Sequence, residues 1–266
     1  MLTPRQDLTS ALAPSPGEGI DPVRLVQKHM QRPLPKRFYK NASVGDVAGG
    51  FALLLDGRPA RTPGKNPLLL PARAAAELVA AEWQAAVEHI DPAKMPVTRI
   101  VNAALDRVAR EMAAVQAEIV KYAGSDLVCY RAGEPVSLSA AQSAAWDPVI
   151  AFANEALGAR LILAQGVVFA AQPDHAAEAI TAAMRAFDKP LPLACLQVMT
   201  TLSGSALLAL SVAYERFTPE AAWSAAHVDE DFQIRAWGAD DEADTRRALR
   251  WRDFAAAATL LRSLKS

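Results

Sequence analysis

The stretch LPLACLQVMTTLSGSALLALSVAY, Leu191 to Tyr214, carries no charged residue over 24 positions. Its reading decides the fold, because an apolar run of that length is enough to cross a bilayer. Its polar residues argue for a different reading. Gln197, Thr200, Thr201, Ser203, Gly204, Ser205 and Ser211 lie inside it, with hydroxyls and the glycine gathered at the middle. Aromatic and basic residues do not bracket both ends as they do at a membrane interface. The run therefore reads as two successive buried helices, or one bent at Ser203–Ser205, in the core of a soluble helical domain.

Next outward is TPEAAWSAAHVDEDFQIRAWG, Thr218 to Gly238, which reads as one helix. Thr218 suits the N-cap, Pro219 the first turn, Glu220 the positive end and Gly238 the stop. At about 100° per residue, Ala221, Ala225, Val228, Phe232 and Ala236 share one face. Trp223, Ile234 and Trp237 fall on the opposite face, with His227 and Glu230 between the two and Asp229 and Asp231 flanking. Two apolar faces, one carrying a carboxylate, fit either a helix held between two neighbours or a partner-binding face. A last helix is expected over about Asp241–Leu264.

Upstream, the patterning is helical from Pro71. One apolar stripe runs through Ala75, Val79, Trp83, Ala86, Val87 and Ile90, and a longer one from Val97 to Ile119. Gly124 breaks the second before YAGSDLVCY ends at Tyr130. Further helices are expected over Ser137–Leu157, stopped by Gly158 and kinked or restarted at Asp147-Pro148, and over Asp174–Phe187. Arg160–Ala170 reads as an extended pair crossing the domain. Before Pro71 the pattern is strand-like. Arg37–Lys40 reads as a short aromatic strand, Val44–Gly50 as a turn, and Phe51–Leu55 as a strand. Asp56-Gly57 is a hairpin signal, with Leu68–Leu70 as a further strand. Fold class is thus α+β: a small N-terminal antiparallel β part packed on a larger all-helical C-terminal domain. The expected division is a mobile tail over 1–20, a β-rich part over 21–71 that opens with a short helix from Asp21 to about Gln31, and a helical part over 72–266.

Composition narrows the function. Apolar residues make up 52% of 266 and the net charge is −1, which suits a globular chain and argues against a nucleic-acid or anionic-membrane partner. Charge is uneven: Arg24 to Lys40 is basic, Glu220 to Asp244 is acidic, and Arg246, Arg247, Arg250 and Arg252 follow. Cys129 and Cys195 are far apart, which suits core thiols in a reducing compartment. His29, His89, His175 and His227 have no metal-ligand spacing. No nucleophile elbow, phosphate loop or zinc-protease motif is present. The cluster Tyr122, Asp126, Tyr130 and Arg131 reads as a polar turn in which Asp126 caps or pairs with Arg131, with Arg99 and Asn102 within reach. A binding protein without catalytic residues, cofactor, metal or small-molecule substrate is expected. Two alternatives differ in class: an enzyme using Asp126, Arg131 and the acidic helix in a cleft, and a membrane-associated factor anchored by 191–214.

Several segments carry a resemblance. RFYKNASV at Arg37–Val44, FALLLDGRPARTPGKNPLLLP at Phe51–Pro71 and AAEW at Ala80–Trp83 are followed by DPAKMPVTRIVNAALD at Asp91–Asp106. YAGSDLVCYR at Tyr122–Arg131 and DEDFQIRAWG at Asp229–Gly238 complete the order. Together, over about 36–265, they resemble the chaperones that hold the alpha subunit of the ATP synthase catalytic head during assembly. That family occurs in mitochondria and alphaproteobacteria. The resemblance implies a non-enzymatic protein that binds the free, unassembled alpha subunit and shields its beta-facing surface until the beta subunit displaces it. It also implies that the acidic run Asp229, Glu230, Asp231 before Phe232-Gln233 matters. The family's key acid falls on Asp229, where Glu is common, while helical geometry singles out Glu230. Gln233, Trp223 and Trp237 complete the expected partner-binding set; Trp83 also matches, in a structural or a binding role. The N-terminus lacks a secretory or transit pattern, so a bacterial cytoplasm is expected.

Overall fold

The computed structural model describes residues 34–166 and 168–265. The expected N-terminal tail and the helix from Asp21 lie outside them. The described chain begins in extended backbone bound to the first helix's C-terminal loop, Arg37 N to Glu88 O at 2.8 Å and Ile90 N to Pro35 O at 2.8 Å. Arg37 N is taken by Glu88 O and Lys40 N by the Asp56 carboxylate at 3.1 Å, and the short strand expected over Arg37–Lys40 does not form; a single bridge joins Lys36 to His89.

A four-stranded antiparallel sheet follows: β1 (Ala42–Val47), β2 (Gly50–Leu55), β3 (Arg58–Pro59) and β4 (Leu69–Leu70). β1 pairs with β2 from Ala42–Leu55 to Val47–Gly50. The segment read as a turn from Val44 is therefore mostly strand. Gly45 belongs in it because a β-carbon there would sit 2.5 Å from Leu54 Cδ1. The reversal is confined to the tip, where Gly49 and Gly50 take positive φ. Asp56 and Gly57 make the next turn, both at positive φ, as the hairpin signal predicts.

The helices are α1 (Arg73–Ala85), α2 (Pro96–Ala103), α3 (Ala109–Ala123), α4 (Val136–Leu157), α5 (Asp174–Ala183), α6 (Pro190–Ser203), α7 (Ala206–Ala213), α8 (Pro219–Ala226), α9 (Val228–Trp237) and α10 (Asp241–Ser263). A π-helical turn, Ala104–Val108, joins α2 to α3. Leu53, Leu55 and Leu70 of the sheet, with Leu68 just before β4, pack in the same hydrophobic cluster as α1, α6, α7 and α10. The sheet's Pro63–Asn66 turn docks on the π-turn: Asp106 accepts from Thr62 Oγ1, from Gly64 N at 2.8 Å and from Asn66 Nδ2 at 2.7 Å. Two segments of the quoted resemblance thus meet as one hydrogen-bonded joint. α2 has no capping residue of its own. Glu82 of α1 supplies the cap, accepting from Val97 N and Thr98 N at 2.7 Å each.

The charge-free run forms α6 and α7, broken at Gly204, whose φ is +71°. Every residue of α7 is buried, and Ser205 Oγ accepts from Leu208 N at 3.0 Å as its N-cap. Among the described residues no helix is long and apolar enough to cross a membrane. α4 runs through Pro148 without a break and stops at Gly158 in the left-handed region. The extended pair expected over Arg160–Ala170 is reduced to β6 (Ala164–Gln165), which pairs in parallel with β5 (Tyr130–Arg131).

Candidate functional site

The helix expected over Thr218–Gly238 is two helices. Thr218 Oγ1 accepts from Ala221 N at 3.2 Å and caps α8, and Gly238 closes α9 at φ +95°, so both ends stand where the sequence puts them. The break is at His227 (φ −118°, ψ 20°). Its Nδ1–H donates to Trp223 O at 2.8 Å, the carbonyl its own main-chain N–H would bond in a continuing helix. That N–H turns instead to Ser224 O at 3.1 Å. Burial holds the imidazole pKa below its ordinary value.

The break rotates the two halves relative to each other, and the faces drawn for a single helix do not survive. Trp223 is 8% exposed, with its ring 4.0 Å from His227, 5.3 Å from Phe254 and 5.7 Å from Trp251. With Trp251, Glu220, Asp244 and Arg247 it lines an open groove of about 550 Å³ between α8 and α10. Trp237 is 88% exposed, and Gln233 is exposed. No residue of α9 is buried.

The three acids occupy the first turn of α9, where the helix dipole favours negative charge, but their partners differ. Asp229 Oδ1 accepts from Gln142 Nε2 at 2.7 Å. Gln142 is 2% exposed, and its Oε1 accepts from Ala132 N at 2.7 Å. Asp231 is bonded to Arg247. Glu230 has looser company: His227 Nε2 at 3.8 Å and Arg247 Nη1 at 4.0 Å, with its side chain 40% exposed. Asp229 is thus held by a buried partner, Asp231 by an ion pair, and Glu230 faces outward.

The polar turn near Asp126 separates into two environments. Asp126 is fully buried; it accepts from Val128 N at 3.2 Å and from Leu207 N at 3.0 Å, at the start of α7. Burial pushes its pKa up to about 6. Arg131 does not pair with it. The guanidinium lies 2.8 Å from Asp147 Oδ1 and over the Trp146 ring at 5.2 Å. Arg99 reaches Asp253 of α10 at 2.7 Å and not this turn. The thiols are buried, and burial pushes Cys129 up to about 12.

Gln142 and Arg247 hold two of the three acids, and neither stood out in the sequence. Gln142 is one polar residue in an alanine-rich helix, with no local partner to betray it. Arg247 belongs to a basic run legible only as a block. Nor does the sequence show that Ile162, Leu163, Val168 and Phe169 stand exposed.

The match to known proteins follows this geometry. A model of the ATP12 chaperone protein family matches residues 36–154. The Atu1473 protein of Agrobacterium tumefaciens, a candidate chaperone of known structure, is 48% identical, with 92% of each chain covered and a TM-score of 0.85. The structure of Atp12 from Paracoccus denitrificans is 38% identical, covers 86% of this chain and 98% of its own, and superimposes with a TM-score of 0.81. A variant of that protein with one aspartate replaced by lysine gives the same figures.

Proposed function

Because this chain belongs to the ATP12 chaperone family, we propose that it assists assembly of the ATP synthase catalytic head by binding the free alpha subunit. It covers the surface alpha later presents to beta, acts in a bacterial cytoplasm, and leaves when beta arrives. The physical need is plain: an obligate interface exposed before assembly is a core cut in half, and it aggregates. A chaperone that must be displaced works through contacts that are not the tightest attainable.

The observation that carries this reading is α9. It is a ten-residue helix with no buried residue, held to the body at Asp229 and Asp231, with Gln233 and Trp237 in solvent and Glu230 half-exposed. In this proposal Glu230 and Trp237 touch the client. Asp229 and Asp231 orient the helix, and Trp223 anchors the turn beneath it. The test is co-purification with alpha and beta subunits expressed separately. Capture of alpha alone is the expected result; capture of neither, or of beta alone, overturns it.

A further inference from the structure

We propose that the surface around β6 is a second client-contact site, which takes an extended, uncharged apolar segment of the client as an added strand. This rests on the chaperone reading and says where and how part of the client is held. Four large apolar side chains stand in solvent near this strand: Ile162 at 46%, Leu163 at 45%, Val168 at 73% and Phe169 at 67% exposure. Scattered exposed apolar residues are ordinary, but a cluster within so short a length marks an interaction surface.

The backbone here is held in place. Gly166 N donates to Arg131 O at 2.8 Å beside the β5–β6 ladder. The Gln172 amide clamps Ile162 from both sides, accepting from its N–H at 2.8 Å and donating to its carbonyl at 2.9 Å. The exposed Ile162 and Leu163 are therefore presented on main chain held at both ends, by Gln172 at Ile162 and by Arg131 at Gly166. β6 pairs with β5 on one edge, and among the described residues no strand pairs with its other edge. Open edges are usually guarded by charge, proline or a bulge. Here no ionisable residue occurs between Arg160 and Asp174.

Charge complementarity selects the occupant. An edge with no charge accepts an uncharged segment at no cost in desolvated ions, and main-chain pairing with alternate apolar side chains is how extended peptides add to sheets. Beneath the ladder, Arg131 is neutralised by Asp147 at 2.8 Å. The site is also continuous with α9: Ala132, next to β5, donates to Gln142, and Gln142 donates to Asp229. One buried side chain thus joins the segment after β5 to the acidic helix.

The test compares the full-length native chain with Leu163→Ser/Phe169→Ser and, as control, Val87→Ser at an exposed residue elsewhere (83%). The readout is capture of alpha subunit expressed alone, with amide exchange at Leu163 and Gln165 in the native complex. The double variant is expected to capture alpha at least about tenfold more weakly, with an unchanged thermal midpoint and with the control behaving as native. Both amides should gain protection when alpha binds. If the native chain captures alpha and the double variant does so equally, or the amides gain no protection, this site is refuted while the chaperone reading stands. Should the double variant misfold, the exchange experiment on the native complex decides alone. Failure of the native chain to capture alpha removes both. A native dimer that the double variant converts to monomer makes the occupant a second copy and overturns the proposal.

Discussion

Two buried ionisable residues make opposite demands on pH. His227 has a folded pKa below its ordinary 6.5 because it is buried. Its contribution to stability is complete above pH 6.5 and is lost as pH falls toward the folded value, since the unfolded chain then binds the proton more readily. Asp126 is raised from 3.8 to about 6 by burial. Its contribution is largest below pH 3.8 and is lost as pH rises to about 6. Thermal midpoints from pH 4 to 7 separate the two. The gap between native chain and His227→Gln should be widest at pH 7 and shrink toward pH 5. The gap between native chain and Asp126→Asn should be widest at pH 4 and shrink toward pH 7. The acids of α9 divide in another way. Glu230→Lys should abolish capture of the alpha subunit with little change in midpoint. Asp229→Lys should lower the midpoint as well, because Gln142 loses its acceptor and a hydrogen bond to a charged group contributes about 1.5–3 kcal/mol. Equal losses of midpoint in both variants would count against the division. The resemblance singles out this acidic run as a whole. Which of its members is held by the body was not legible, because it depends on Gln142, 87 positions away along the chain.

Element ends were the most readable features, since caps and stops are local chemistry. Thr218 caps α8, Gly158 ends α4 and Gly204 separates α6 from α7, each at the predicted place. Thr218→Ala is expected to lower stability by about 1 kcal/mol in denaturant unfolding, with α8 still formed. The misread elements share one cause: a non-local partner decided them. His227 breaks a helix by taking a carbonyl with its side chain, an option that apolar periodicity does not encode. Gly45 sits in a strand because β1 pairs with β2 along its length, Gly45 opposite Ala52. Arg37 and Tyr39 bond to the end of α1, and Lys40 N bonds to the Asp56 carboxylate. The same logic gives α2 a cap from Glu82, which predicts that Glu82→Ala frays the start of α2. Faster amide exchange at Val97 and Thr98 would show it.

At the scale of the molecule, the sheet and the helices share one hydrophobic cluster from Tyr39 to Leu261. Trp146 is central to it: 1% exposed, with Nε1 donating to Ala225 O at 2.7 Å. Trp146→Ala should cost about 3–5 kcal/mol, and far-UV and near-UV signals should still be lost in one transition. Two separate transitions would show that the β part and the helical part unfold independently.

The sequence by itself determined the α+β class, the burial of the charge-free run, most helix ends and the segments that mark the family. Composition, periodicity and local capping set these, and all act within a few residues. Only the tertiary structure decided which acid faces outward, which tryptophan is buried, and that the uncharged stretch after Arg160 stands in solvent beside an open strand edge. Those outcomes depend on groups brought together from distant parts of the chain: Gln142 with Asp229, Arg247 with Asp231, and β5 with β6. The free energies of burial and hydrogen bonding belong to such pairs and exist only once the chain has folded.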